Sequence, residues 1–156
     1  MSGEIEARLE KLGLTLPPAP SAVANYVPHL VAGDLLFISG QISKAADGSL
    51  IKGRLGADVA LDTGKFAAQL CALNILAQAK TALGSLDRIA QVMRLTGFVA
   101  STPEFTEHPQ VVNGASDLLV EVLGDNGRHT RSAVGVASLP LNAAVEIDAI
   151  IKIRDR

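Results

Sequence analysis

The segment near the C-terminus constrains the chain most. From Val145 to Lys152, the residues Val145, Ile147, Ala149 and Ile151 alternate with Glu146, Asp148, Ile150 and Lys152. Side chains along a strand point to opposite faces in turn, so this period of two writes a strand with one wholly apolar face and one mixed face. The apolar face has to be covered, which implies a sheet with helices on one side of it.

The rest of the chain supplies those parts. Ile5, Leu9 and Leu12 are at helical spacing, and Leu16-Pro17-Pro18-Ala19-Pro20 stops that helix and stiffens the exit. Val27 to Ala32 and Leu35 to Ser39 flank the turn pair Gly33-Asp34 and read as an antiparallel hairpin. Leu50 to Arg54 is a weaker candidate strand. A long helix is expected over 58–83, with Asp58 or Asp62 as N-cap, Phe66, Leu70, Leu73, Ala77 and Leu83 facing inward, and Gly84 as the stop. A strand over Ile89 to Ala100 follows, then a helix over Phe105 to Leu123 carrying Val111, Leu118, Leu119 and Val122 inward. Ser132 to Ala137 and Ala144 to Lys152 complete the strands. This order predicts an α+β fold with a mixed sheet, in which residues 1–17 form a leading helix and connector and residues 18–156 form one domain.

Composition removes whole classes of function. The 156 residues suit a single core, and 48% hydrophobic with 19% charged residues argues against disorder. Apolar stretches such as Leu35 to Ile38 are far shorter than the roughly 18 residues of a membrane span, so no membrane partner is expected. The first residues are acidic rather than basic and then apolar, and there is a single cysteine, so a cytoplasmic location is the default. A net charge of −2 with one Tyr, four Phe and no Trp supplies neither a phosphate-tracking field nor stacking platforms, so no nucleic acid is expected as a partner.

Few residues carry chemistry on local evidence. His29, His108 and His129 are isolated from one another and from Cys71, which leaves no metal-ligand spacing and reads them as ordinary surface or strand histidines. Cys71 falls on the long helix, where a small buried hydrophobe explains it. Ser39-Gly40-Gln41 ends an apolar strand, and glycine there lets another group approach the backbone. Arg131 opens an otherwise apolar strand, either snorkelling to solvent or holding an anion. Glu146, between Val145 and Ile147, faces solvent or pairs with Arg131.

Taken together, an ordered series stands out. It runs from Pro18-Ala19-Pro20 to Asn25-Tyr26-Val27, then Leu36-Phe37-Ile38-Ser39-Gly40-Gln41, Asp58-Val59-Ala60 and Val112-Asn113. It ends in Arg131-Ser132-Ala133-Val134-Gly135-Val136 with Leu139-Pro140 and Val145-Glu146-Ile147-Asp148-Ala149. This series resembles the Rid (YjgF, or endoribonuclease L-PSP) family from about Pro18 to Ile153. The resemblance implies a chorismate-mutase-like subunit whose sheet is covered on one face by two main helices. It also implies a homotrimer built around a central barrel, with ligand clefts between subunits.

The implied activity is cofactor-free hydrolysis of enamine or imine metabolites bearing a carboxylate to 2-keto acids and ammonia. Arg131 corresponds to the arginine that holds the substrate carboxylate and Glu146 to the acid that holds water. Tyr26, Ser39, Gly40 and Asn113 match further pocket positions. Two positions depart from the pattern: Ala133 stands where the deaminase-active subgroup often has Cys, and Gly135 where it often has Glu, as in a divergent, longer subgroup. The rival expectations are a non-catalytic module that binds small carboxylates and, less well supported by the charge, an endoribonuclease.

Overall fold

A computed structural model describes residues 3–21 and 24–155. Met1 and Ser2 of the acidic N-terminus, Ala22 and Val23 within the 18–27 stretch of the resemblance, and Arg156 lie outside the described residues. The elements are α1 (Glu4–Lys11), β1 (His29–Ala32), β2 (Leu35–Ile42), α2 (Leu61–Leu83), β3 (Ile89–Ala100), α3 (His108–Leu123), β4 (Thr130–Val136) and β5 (Val145–Ile153). They form one five-stranded sheet in the order β1-β2-β5-β3-β4, antiparallel throughout except for the parallel β3–β4 pair. The sheet is therefore mixed, and the α+β class is as expected.

The alternation in β5 determines which face is covered. Val145, Ile147, Ala149 and Ile151 are buried, together with Leu36 and Ile38 of β2 and Leu95 and Val99 of β3, under α2 and α3. The two helices cross closely: a Cβ on Gly114 of α3 would run into the backbone carbonyl of Lys65 in α2. On the opposite, uncovered face Phe37 and Val134 remain 39% and 44% exposed. α1 docks at its start, where Asp87 accepts from the Glu4 and Ile5 amides at 3.0 Å each, and along its length, where Arg8 donates to the Val122 carbonyl at 3.0 Å.

Four expectations need correcting. Leu50 to Arg54 is not a strand: only isolated pairings form, Lys44 with Leu50 and Lys52 with Ala143, because Gly53 turns the chain. α2 starts at Leu61 with neither predicted cap in use; Asp58 instead accepts from the Arg54 amide at 2.8 Å, closing the turn before the helix. Phe66 is 49% exposed rather than inward: it lies in the first turns of α2 with exposed Asp62 and Thr63, and because the stretch from Leu70 to Ala79 is buried on every side the apolar period points to no single face. α3 begins at His108, three residues later than expected, with Pro109 in its first turn. Among the described residues no helix is long and apolar enough to cross a membrane.

Candidate functional site

Four of the predicted site residues meet in one hollow. A cavity of about 410 Å³ lies against the uncovered face where β2 and β5 separate from the loops, and Tyr26, Ser39, Gly40 and Glu146 line it with Lys44 and Leu141. The β2–β5 register shifts between Ile38 and Gln41, and this irregularity lifts Gly40 out of the ladder. The carboxylate of Glu146 fills the space beside it: a Cβ on Gly40 would collide with Glu146 Oε2. Position 40 is glycine because the acid occupies its side-chain volume.

The walls of the hollow are tied by side chains. Ser39 Oγ donates to the Val27 carbonyl at 2.8 Å, holding the loop that carries Tyr26. Asn74 Nδ2 donates to the Lys44 carbonyl at 2.9 Å, fixing the exit of β2, and Gln78 Nε2 donates to the Pro20 carbonyl at 2.7 Å. Asn74 also lines the cavity. Burial pushes the Glu146 carboxyl up from its ordinary pKa, and the negative charge of Asp148 adds to the shift. Leu141, 74% exposed at the mouth, holds a left-handed backbone (φ 58°), a conformation that costs a non-glycine residue about 1–2 kcal/mol.

Arg131 and Asn113 lie elsewhere. Arg131 reaches from β4 across to α3, donating to Ser116 Oγ at 3.0 Å and to the Pro109 carbonyl at 3.1 Å. Pro109, Asn113 and Ser116 are four and then three residues apart on α3, so they share the face against which the guanidinium lies. Ser116 Oγ is also 2.8 Å from His129 Nε2, and His129 Nδ1 is 2.6 Å from the Gly127 carbonyl. Burial lowers the pKa of His129, the Gly127 bond opposes this, and the Arg131 charge lowers it further. A neutral ring donating from Nδ1 to the carbonyl leaves Nε2 to accept from the Ser116 hydroxyl, whose oxygen in turn accepts from Arg131.

The pair Arg131 and Glu146 is therefore not brought together within one chain. Phe98 pairs with Glu146 on one side and with Val134 on the other, so the two positions differ by two strand spacings and three residues. That is about 10 Å across the sheet and about 10 Å along it. They are also on opposite faces: Arg131 pairs with buried Leu95 and contacts α3, whereas Glu146 lies on the uncovered side.

Lys44 and Asn74 were missed by sequence reasoning. The one available signal was the presence of two amides, Asn74 and Gln78, one turn apart in an otherwise apolar stretch of α2, since buried amides need fixed partners. Cys71 is fully buried, and burial pushes its thiol well up, as suits a core residue. Among the described residues no cluster of His, Cys, Asp and Glu could hold a metal ion.

Comparison with known proteins agrees with this architecture. The chain is 46% identical over 155 residues to protein TCP17 of Trypanosoma cruzi, covering 99% of this chain and 97% of that one. It is 31% identical over 137 residues to Hmf1 of Saccharomyces cerevisiae, covering 88% and 91% of the two chains. A crystal structure of Agrobacterium tumefaciens Atu1372 superimposes with a TM-score of 0.89 at 53% identity, covering 96% of this chain and 94% of that one. E. coli TdcF with bound serine superimposes with a TM-score of 0.63 at 27% identity, covering 88% and 94%. Residues 6–151 match the family described as "YjgF/chorismate_mutase-like, putative endoribonuclease", and the chain belongs to that YjgF/chorismate-mutase-like family.

Proposed function

We propose that the protein hydrolyses enamine or imine metabolites carrying a carboxylate to 2-keto acids and ammonia, at clefts completed between copies of the chain in a homotrimer. The observation that carries this reading is the division of the site. Arg131 is a cation oriented by two acceptors on one face, and Glu146 is a half-buried acid in a hollow on the other. Neither half alone holds both a carboxylate anchor and a water-holding acid. Two copies placed edge to face supply both.

The chemistry suits such a site. A guanidinium binds a carboxylate through two parallel hydrogen bonds and so fixes the adjacent imine carbon. Orientation of that carbon against a held water is the principal requirement, because the C=N bond is already electrophilic. Glu146, half-buried in the hollow beside Gly40, is suited to hold and orient the water as its oxygen adds. The serine bound in TdcF is a small molecule with a carboxylate, which supports a ligand of this class.

The uncovered face supports assembly. Phe37 and Val134 are exposed beside Phe98 and Ile150 in a single chain, and an apolar sheet face of this kind calls for a partner. Arg131→Ala should abolish turnover of imines generated by an amino-acid oxidase, a loss of at least about 100-fold, while leaving the trimer intact in solution. Unchanged turnover overturns the reading. Binding of 2-keto acids without imine hydrolysis by the wild type selects a non-catalytic carboxylate-binding module, and RNA cleavage lost in Arg131→Ala selects the ribonuclease of the family's description.

A further inference from the structure

One polar pair is left unused by the site just described. Past the far end of β4 from Arg131, Ser101 Oγ and His108 Nε2 are 3.1 Å apart and line a second cavity of about 330 Å³. Ser101 is only 6% exposed, and Phe105 packs edge-on against the imidazole at 5.3 Å between ring centres and 81° between planes. The serine and the phenylalanine hold the imidazole from two sides, and Arg54 lines the same cavity.

Gly135 explains how the imidazole fits there. A Cβ at this position would collide with His108 Nε2 and come within 2.7 Å of Ser101 Oγ. No side chain can stand at position 135 while the pair keeps its place. Arg131, Ala133 and Gly135 pair in turn with Leu95, Gly97 and Val99, so all three lie on the same face of β4. Between the guanidinium and the imidazole that face carries only the Ala133 methyl group. The two groups are also neighbours through α3, since Arg131 donates to the carbonyl of Pro109 and His108 is the preceding residue.

We propose that the Ser101–His108 pair is the proton-transfer unit of the reaction anchored at Arg131, with His108 as a catalytic residue and Ser101 as the residue that positions it. This rests on the reading of Arg131 as the carboxylate anchor. Water oxygen bonds to the imine carbon and the C=N π pair moves to nitrogen. His108 takes a proton from the adding water and delivers it to that nitrogen, giving a carbinolamine. The C–N bond then breaks with its electron pair on nitrogen, the hydroxyl proton passes through His108 to the departing ammonia, and the C=O bond forms. Imine and water are consumed, keto acid and ammonia are released, and the imidazole returns to its starting form. Glu146 of a neighbouring copy holds the water, and the missing side chain at position 135 leaves room for the ring.

The test uses the full-length protein, imines generated by an amino-acid oxidase, and 2-oxobutanoate as a binding probe. His108→Ala should lower kcat by about 100-fold, with KM and the 2-oxobutanoate Kd unchanged within about threefold, and added imidazole should restore turnover. Ser101→Ala should lower kcat by about 10-fold with the same pattern. His108→Gln, which keeps the bulk of the ring, is scored on kcat in the same way should the alanine variant fail to fold. A kcat within threefold of wild type in both His108 variants overturns the proposal, as does a loss of kcat matched by loss of 2-oxobutanoate binding with no imidazole rescue. Full turnover in Arg131→Ala overturns the anchor reading itself. Loss in Arg131→Ala with full turnover in the His108 variants overturns this inference alone.

Discussion

The hollow under Glu146 and the wall that carries Arg131 are built on opposite principles. In the hollow an acid is drawn partly out of water against a glycine that yields it space, and burial raises its carboxyl pKa. On the wall a guanidinium is held by a serine hydroxyl and a backbone carbonyl, with a histidine fixed behind the serine, so its charge is permanent and its direction set. The first arrangement suits a group that holds a water, the second a group that holds an anion. Within one chain the two lie on opposite faces of the sheet, and in the proposed homotrimer it is assembly that joins them.

The largest effect should come from preventing that joining. Val134→Asp places a charge on the uncovered face beside Phe98; it should convert the proposed trimer to monomers or aggregates in size-exclusion chromatography and abolish turnover, although Arg131 and Glu146 are untouched. A monomer that still hydrolyses imines would break the comparison. Next in size is Gly40→Val, which puts a branched side chain where the Glu146 carboxylate lies; turnover should fall by at least about 10-fold and stability by about 1–3 kcal/mol, read by denaturant unfolding.

Smaller still is Ser116→Ala, which removes one of the two acceptors on Arg131. A net loss of about 1 kcal/mol corresponds to roughly a fivefold weaker carboxylate grip, so KM should rise while kcat holds. Equal falls in kcat and kcat/KM would place Ser116 in the reaction rather than behind the anchor.

The smallest effect concerns pH. Burial raises the pKa of both Glu146 and Asp148 in the folded chain, so the unfolded state loses these protons at lower pH than the folded state. The contribution of these two groups to stability is then fullest below the ordinary carboxylate range and is lost as pH rises through the raised folded values. Glu146→Gln should remove part of that decline, leaving the thermal midpoint less sensitive to pH between the acidic range and neutrality. An unchanged slope would mean that the acid is not held as described.

How far the sequence carried these conclusions varies by element. The period of two in β5 dictated both the strand and its covered face, because solvent on one side and core on the other leave a direct imprint on composition. The hairpin through Gly33-Asp34 and the strand over Ile89 to Ala100 were legible for similar reasons. The start of α2 was not, since Asp58 was free to cap a turn instead, and the outward position of Phe66 was hidden by a helix that is buried on every side from Leu70 to Ala79.

In the site, Arg131, Asn113 and Glu146 could be named, but not their separation, which depends on strand order. Sequence puts β4 before β5, whereas the sheet inserts β3 between them. His108 read as an ordinary histidine because its partners, Ser101 and Gly135, lie 7 and 27 residues away and meet it only in the fold.

Mixing the inactive variants Arg131→Ala and Glu146→Gln tests the central claim most directly. Each is purified alone, the two are unfolded and refolded together to form mixed trimers, and imine turnover is measured. If a site takes Arg131 from one copy and Glu146 from another, some interfaces in the mixed trimers carry both native residues, and activity returns in the mixture though neither variant shows it alone. If each site lies within one chain, every copy lacks one of the two residues, and the mixture stays as inactive as its parts.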